Sequence, residues 1–98
     1  MTIAALLAVT MICFACAARS AKEVKLTWDP VPGVVGYNVY RSAQPGGEYE
    51  RINPAPLPQP RYVDTDVEPG KTYFYRVTAV NAVGIESDYS EERSRTVR

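Results

Sequence analysis

The stretch Lys71 to Gly84, KTYFYRVTAVNAVG, constrains the fold more than any other part of the chain. Tyr73, Tyr75, Val77 and Ala79 fall on one side at period two, and Phe74, Arg76, Thr78 and Val80 fall on the other. Strict alternation rich in aromatic and β-branched residues specifies a strand with one face in a core. Glu68-Pro69-Gly70 before it and Asn81 to Gly84 after it carry the turn residues that bound it. A strand this long needs neighbours on both sides, so it is predicted to be the central strand of a small antiparallel sandwich.

The flanking sequence supplies those neighbours. In KEVKLTW, Val24, Leu26 and Trp28 alternate with Lys25 and Thr27, which gives an apolar face and a wet one. Asp29-Pro30-Val31-Pro32-Gly33 stops this strand, because proline removes ladder donors and glycine permits a turn. GYNVYRS, Gly36 to Ser42, resumes with Tyr37 and Val39 on one side and Asn38 and Tyr40 on the other. After Gln44-Pro45-Gly46-Gly47, the polar run Glu48 to Ile52 suits an edge strand. Four prolines in the eight residues of NPAPLPQP exclude residues 53–60 from a sheet interior and predict an extended surface run. Arg61 to Asp64 is a short strand anchored by Tyr62. A last, largely exposed strand spans about Ser90 to Val97, with Tyr89 and Val97 as its apolar anchors.

Residues 1–18 are of a different kind. They carry no charged side chain, and Arg19 and Lys22 follow at once. Three readings stand side by side: a signal peptide cleaved after Ala17, a lipoprotein signal modified at Cys16, and an uncleaved membrane anchor. Ala15-Cys16-Ala17 has the small-x-small pattern of a cleavage site, although no Lys or Arg opens the segment. All three readings route the chain to the membrane. The first two put the domain outside the cytoplasm, as a secreted, cell-surface or periplasmic protein, with membrane contact only through residues 1–18.

Composition narrows the chemistry. Eleven basic and eleven acidic residues cancel, so no net field points to nucleic acid. Histidine is absent, which removes the commonest general base and metal ligand. The two cysteines, Cys13 and Cys16, both lie in the apolar N-terminal stretch, leaving residues 22–98 without a disulfide framework or a Cys/His metal cluster. Asp64, Asp66 and Glu68 alternate near one loop, as calcium ligands do, but scattered surface carboxylates of this kind are far more often simply solvated. No catalytic residue, cofactor or metal ligand is therefore assigned.

VKLTW, then DPVPGVVGYNVYRS, then RYVDTDVEPGKTYFYRVTAVNAVGIES, in that order, resemble a fibronectin type III domain, particularly the short bacterial versions of secreted and surface proteins. The resemblance rests on Trp28 in strand B, Tyr37 to Arg41 in strand C, PGKTY at the start of strand F and Val77 to Asn81 at its end. It runs from about Val24 to Val97. It implies an all-β, immunoglobulin-like β-sandwich of six to seven antiparallel strands over residues 22–98. Trp28, Tyr37, Val39, Tyr62, Tyr73, Tyr75 and Val77 are the expected core, with Tyr73 as the tyrosine corner. Only Ala18 to Glu23 separates the apolar segment from strand B, so strand A is expected to be clipped or absent and strand B to be an open edge.

Tyr40 and Phe74 fall out of phase with the core set and, with Asn38 and Arg76, outline a stripe on neighbouring strands. Ordinary cross-strand packing explains such a stripe more often than binding does, yet it is the one candidate binding face in the sequence. The loop after the central strand, Ala82 to Ser87, holds no RGD tripeptide. The sequence thus points to a non-catalytic extracytoplasmic module for protein binding, adhesion or spacing. The alternative is an accessory carbohydrate-binding domain of a secreted polysaccharide-degrading system, and the partner is accordingly a protein or a glycan.

Overall fold

The computed structural model describes residues 11–15, as a strand, and residues 22–98. Among the described residues, seven strands run in order: β1 (Met11–Ala15), β2 (Val24–Trp28), β3 (Gly36–Ser42), β4 (Glu50–Arg51), β5 (Arg61–Asp64), β6 (Thr72–Val80) and β7 (Arg93–Thr96). They form a three-stranded sheet ordered β1-β2-β5 and a four-stranded sheet ordered β4-β3-β6-β7, and every pairing is antiparallel. β6 is the longest strand and lies inside its sheet, between β3 and β7.

One expectation is overturned. A strand before β2 is present and β2 is not an open edge, because β1 pairs with β2 in register from Met11↔Trp28 to Ala15↔Val24. A uniformly apolar run has no period-two signal to mark it as a strand. The unpaired N–H and C=O groups along β2 nonetheless favour any extended segment within reach. β1 falls within the stretch read as an export segment. The cleavage point after Ala17 and the lipidation site Cys16 lie outside the described residues. No helix among the described residues is long and apolar enough to cross a membrane.

The inner faces of the two sheets meet on Val24, Leu26, Trp28, Tyr37, Val39, Tyr75, Val77 and Ala79, with Val31, Val67 and Val97 closing the rim. Trp28 packs edge-on against Tyr37, with ring centroids 5.5 Å apart at 74°. The Tyr37 hydroxyl accepts a 2.8 Å bond from the backbone N–H of Val31, which ties the proline-bearing turn down onto the core. Tyr62 and Tyr73 are partly rather than fully enclosed and pack against this cluster from its margin. The Tyr73 hydroxyl accepts from the N–H of Glu68, five residues upstream, at 3.0 Å.

The proline-rich run behaves as an edge. Leu57 exchanges two backbone bonds with Tyr37, at 2.9 and 2.8 Å, beyond the end of the two-residue β4. Buried Asn53 stands in for the ladder where the prolines begin: its Oδ1 accepts from Val39 N–H at 2.8 Å, and its Nδ2 donates to Asn38 and to the Ala55 carbonyl. Pro56 then lies so close to Gly36 that an added Cβ there would sit 2.9 Å from it. Only glycine fits that crossing.

Asp64 also departs from expectation. It is 2 % exposed rather than solvated, because Arg41 and Tyr75 draw it between the sheets. It is therefore committed to the fold. Among the described residues, no group of three or more His, Cys, Asp or Glu side chains is placed to hold a metal ion.

Candidate functional site: the outer face of the four-stranded sheet

The β3–β6 register pairs Asn38 with Thr78, Tyr40 with Arg76, and Ser42 with Phe74, so all six side chains share the face turned away from the core. The chain beyond β6 crosses part of this face. Ser87 and Ser90 pin it there: Ser87 N–H donates to the Ala79 carbonyl and Ser90 N–H to that of Val77, while their hydroxyls accept from the N–H groups of Ala79 and Val77. Two serines thus do the work of a strand along β6, and they fix Glu86, Asp88 and Tyr89 above the sheet.

Glu86 is the hub of one half. A single carboxylate oxygen, Oε2, accepts from Asn38 Nδ2 at 2.9 Å, from Thr78 Oγ1 at 2.7 Å and from the Tyr40 hydroxyl. Burial opposes charge on Glu86, but the three donors outweigh it, with Arg51 assisting, and hold the carboxyl below its ordinary value. Burial, then the bond to Glu86, pushes the Tyr40 hydroxyl up to about 12.

Glu92 organises the other half. Its Oε2 accepts from Gly46 N–H at 2.8 Å and from the Tyr49 hydroxyl, and lies 4.0 Å from Arg76 Nη2. The Tyr49 bond comes first among the interactions that hold Glu92 below the ordinary carboxyl value. Burial and the same bond raise Tyr49 to about 12.

Three tyrosines join the halves. Tyr89 meets Tyr40 edge-on at 5.1 Å and Tyr49 at 5.8 Å. The Arg76 guanidinium lies 5.3 Å from the Tyr49 ring centroid and 5.7 Å from that of Tyr89, and its Nη1 donates to the Ser90 carbonyl at 2.9 Å. Tyr89 remains 44 % exposed. A shallow cleft of about 250 Å³ opens beside it, lined by Tyr40, Thr78, Glu86, Ser87, Asp88 and Tyr89.

Of the four residues that the sequence marked, Tyr40 and Arg76 lie in this cluster. Asn38 is beneath it, 4 % exposed and bonded to Glu86 and Asn53, and so offers nothing to a ligand. Phe74 is half-buried beside Ser42 and Ser94, and no ring contact joins it to Tyr40 among the described residues. Tyr89 is corrected: it stacks on the outer face rather than anchoring the last strand, whereas Val97 is buried. The residues that sequence reasoning missed are Tyr49, Glu86, Tyr89 and Glu92. None lies in an alternating run; the only signal was an acidic residue and a tyrosine recurring in each of two connecting segments.

The fibronectin type III model described as the SaeA third domain matches residues 17–98. An amylopullulanase of Thermoanaerobacter thermohydrosulfuricus is 46 % identical over 70 residues, which cover 71 % of this chain but 5 % of the enzyme. The crystal structure of a Fn3-like protein from Clostridium thermocellum superposes with a TM-score of 0.81 at 30 % identity, covering 95 % of this chain and 96 % of that one. A β-1,2-glucanase from Parabacteroides distasonis superposes at 0.70 and 28 % identity, over 94 % of this chain and 14 % of the enzyme. The ordered motifs, the two-sheet topology and these similarities have one reading: the chain belongs to the fibronectin type III family.

Proposed function

We propose that this domain is a non-catalytic module that works outside the cytoplasm as a recognition or spacing element of a polysaccharide-degrading system. The observation that carries this reading is the hydrogen-bonded geometry of the outer face, where Glu86 and Glu92 each commit Oε2 to fixed donors. Glu86 and Glu92 are held ionised and Tyr40 and Tyr49 are held neutral across the ordinary pH range. The bonds that do so also fix the side chains, which suits a rigid surface for recognition.

Two further points support the reading. The chain spans about 5 % of the amylopullulanase it matches, so in that enzyme the unit is one small part of a longer chain. The names of that relative and of the β-1,2-glucanase point to glucans, and the apolar residues 1–18 suit export. The test is to incubate the full chain with starch, pullulan and β-1,2-glucan, and to fractionate cells that produce it. No release of reducing ends and recovery outside the cytoplasm are expected. Turnover by the purified chain, or its retention in the cytoplasm, overturns the proposal.

A further inference from the structure

The cleft beside Tyr89 has a chemistry more specific than a generic recognition face, and the inference drawn from it rests on the accessory-module reading above. All three donors to Glu86 converge on Oε2, and all the contacts of Glu92 likewise fall on its Oε2. Among the described residues the Oε1 atom of each takes no hydrogen bond. Each carboxylate is thus held through Oε2 and keeps Oε1 as a further charged acceptor, Glu86 beside Tyr40 and Glu92 beside Tyr49.

Charge then selects the ligand. A cation over the tyrosines is disfavoured, because the Arg76 guanidinium already occupies that position between Tyr49 and Tyr89. An anion is disfavoured by Glu86 and Asp88, which line the cleft. A neutral ligand that brings a C–H face for the Tyr89 ring and hydroxyl donors for Glu86 Oε1 meets every feature. The volume argues for a polymer gripped locally. About 250 Å³ falls below the usual size of a drug-like pocket, so the cleft would seat one part of a longer ligand. We propose that this face binds a neutral glucan chain, with one sugar unit seated on Tyr89 and its hydroxyls donating to Glu86.

The experiment is affinity electrophoresis of the full chain in gels containing soluble starch, pullulan, a β-glucan or polygalacturonate, with titration of maltohexaose followed by NMR. Retardation by at least one neutral glucan, none by polygalacturonate, and shifts confined to residues around Tyr40, Glu86 and Tyr89 are expected. Tyr89→Ala should weaken binding about tenfold and, because the ring also packs on Tyr40 and Tyr49, lower the melting temperature modestly without unfolding the chain, while Tyr89→Phe keeps the ring and should bind as the native chain does. Four outcomes overturn the site: no retardation by any neutral glucan, equal binding of polygalacturonate, binding that Tyr89→Ala leaves intact, or a Tyr89→Ala effect on oligomeric state in place of sugar binding. Any of these leaves a non-catalytic spacer in place, whereas release of reducing ends from the same glucans defeats the accessory-module reading itself.

Discussion

Arg41 on β3 and Asp64 on β5 bolt the two sheets of the sandwich together: Arg41 Nη1 donates to both carboxylate oxygens, at 2.9 and 2.8 Å. Asp64 also accepts from the Tyr75 hydroxyl at 2.7 Å and from Asp66 N–H at 3.1 Å, so its lone pairs are met in a site that excludes water. The Arg41 guanidinium lies 5.6 Å from the Tyr73 ring centroid and reaches Asp66 with Nη2. Burial works against charge on Arg41, but the bond and attraction to Asp64 prevail and raise its pKa further. The pair acts on the fold and lies apart from the tyrosine face.

Breaking this pair from one side should be severe. Asp64→Ala strands a mostly buried guanidinium and removes an acceptor from Tyr75, at a cost of about 3–5 kcal/mol. The double replacement Arg41→Met with Asp64→Leu removes both charges and should recover most of that loss. Urea midpoints of the native chain, the single variant and the double variant check this. A single variant as stable as the native chain would show the pair to be idle.

Two tyrosine hydroxyls that both accept from backbone N–H should differ in weight. Tyr37→Phe leaves the N–H of buried Val31 unpaired and should cost about 1–3 kcal/mol. The bond from Glu68 to Tyr73 is exposed, so water can replace it, and Tyr73→Phe should cost only about 0.5–1.5 kcal/mol. Thermal melts of the two variants test the order, and a reversed order would make the Tyr73 corner the stronger tie.

These contrasts show what the sequence made legible. β2, β3 and β6 were readable because Val24-Leu26-Trp28, Tyr37-Val39 and Tyr73-Tyr75-Val77 repeat at period two, and that pattern follows from one buried face. Tyr89 and Glu86 were not readable, since their placement depends on two serine hydroxyls bonding the β6 backbone, an aperiodic device. Asp64 resembled any loop carboxylate until the fold brought Arg41 and Tyr75 to it. The apolar composition of β1 fits a strand and an export segment equally well.

The outer face should give stability a limit at each end of the pH scale. The Glu86 carboxyl is held below its ordinary value of 4.5, so its contribution is complete above that value and drains away as pH falls through the lower folded value. Tyr40 and Tyr49 are raised from 10.0 to about 12, so theirs is complete below 10.0 and is lost as pH rises toward 12. Denaturation midpoints across pH should fall at both ends, with Glu86→Gln flattening the acid limb and Tyr40→Phe part of the alkaline one. In a spectrophotometric titration of the folded chain, Tyr40, Tyr49 and Tyr62 should ionise above the ordinary tyrosine value of 10.0. Ionisation of Tyr40 and Tyr49 at the ordinary value of 10.0 in the folded state would count against the Glu86 and Glu92 bonds.

The N-terminal strand sets a sharper test, because β1 and an export signal make rival demands on the same residues. β1 meets β2 over five registered pairs, so a chain that begins at Ala18 loses that ladder and exposes one edge of β2. Each lost hydrogen bond costs about 0.5–1.5 kcal/mol net, a large share of the stability of a domain this small. The chain 18–98 should therefore melt lower than the chain 1–98 and should self-associate as concentration rises, since an open edge accepts a strand from another copy. Adding a peptide that spans Met11–Ala15 should restore both stability and the monomer. Equal melting temperatures and a monomeric 18–98 chain would make β1 dispensable, leaving residues 1–18 free to be removed during export.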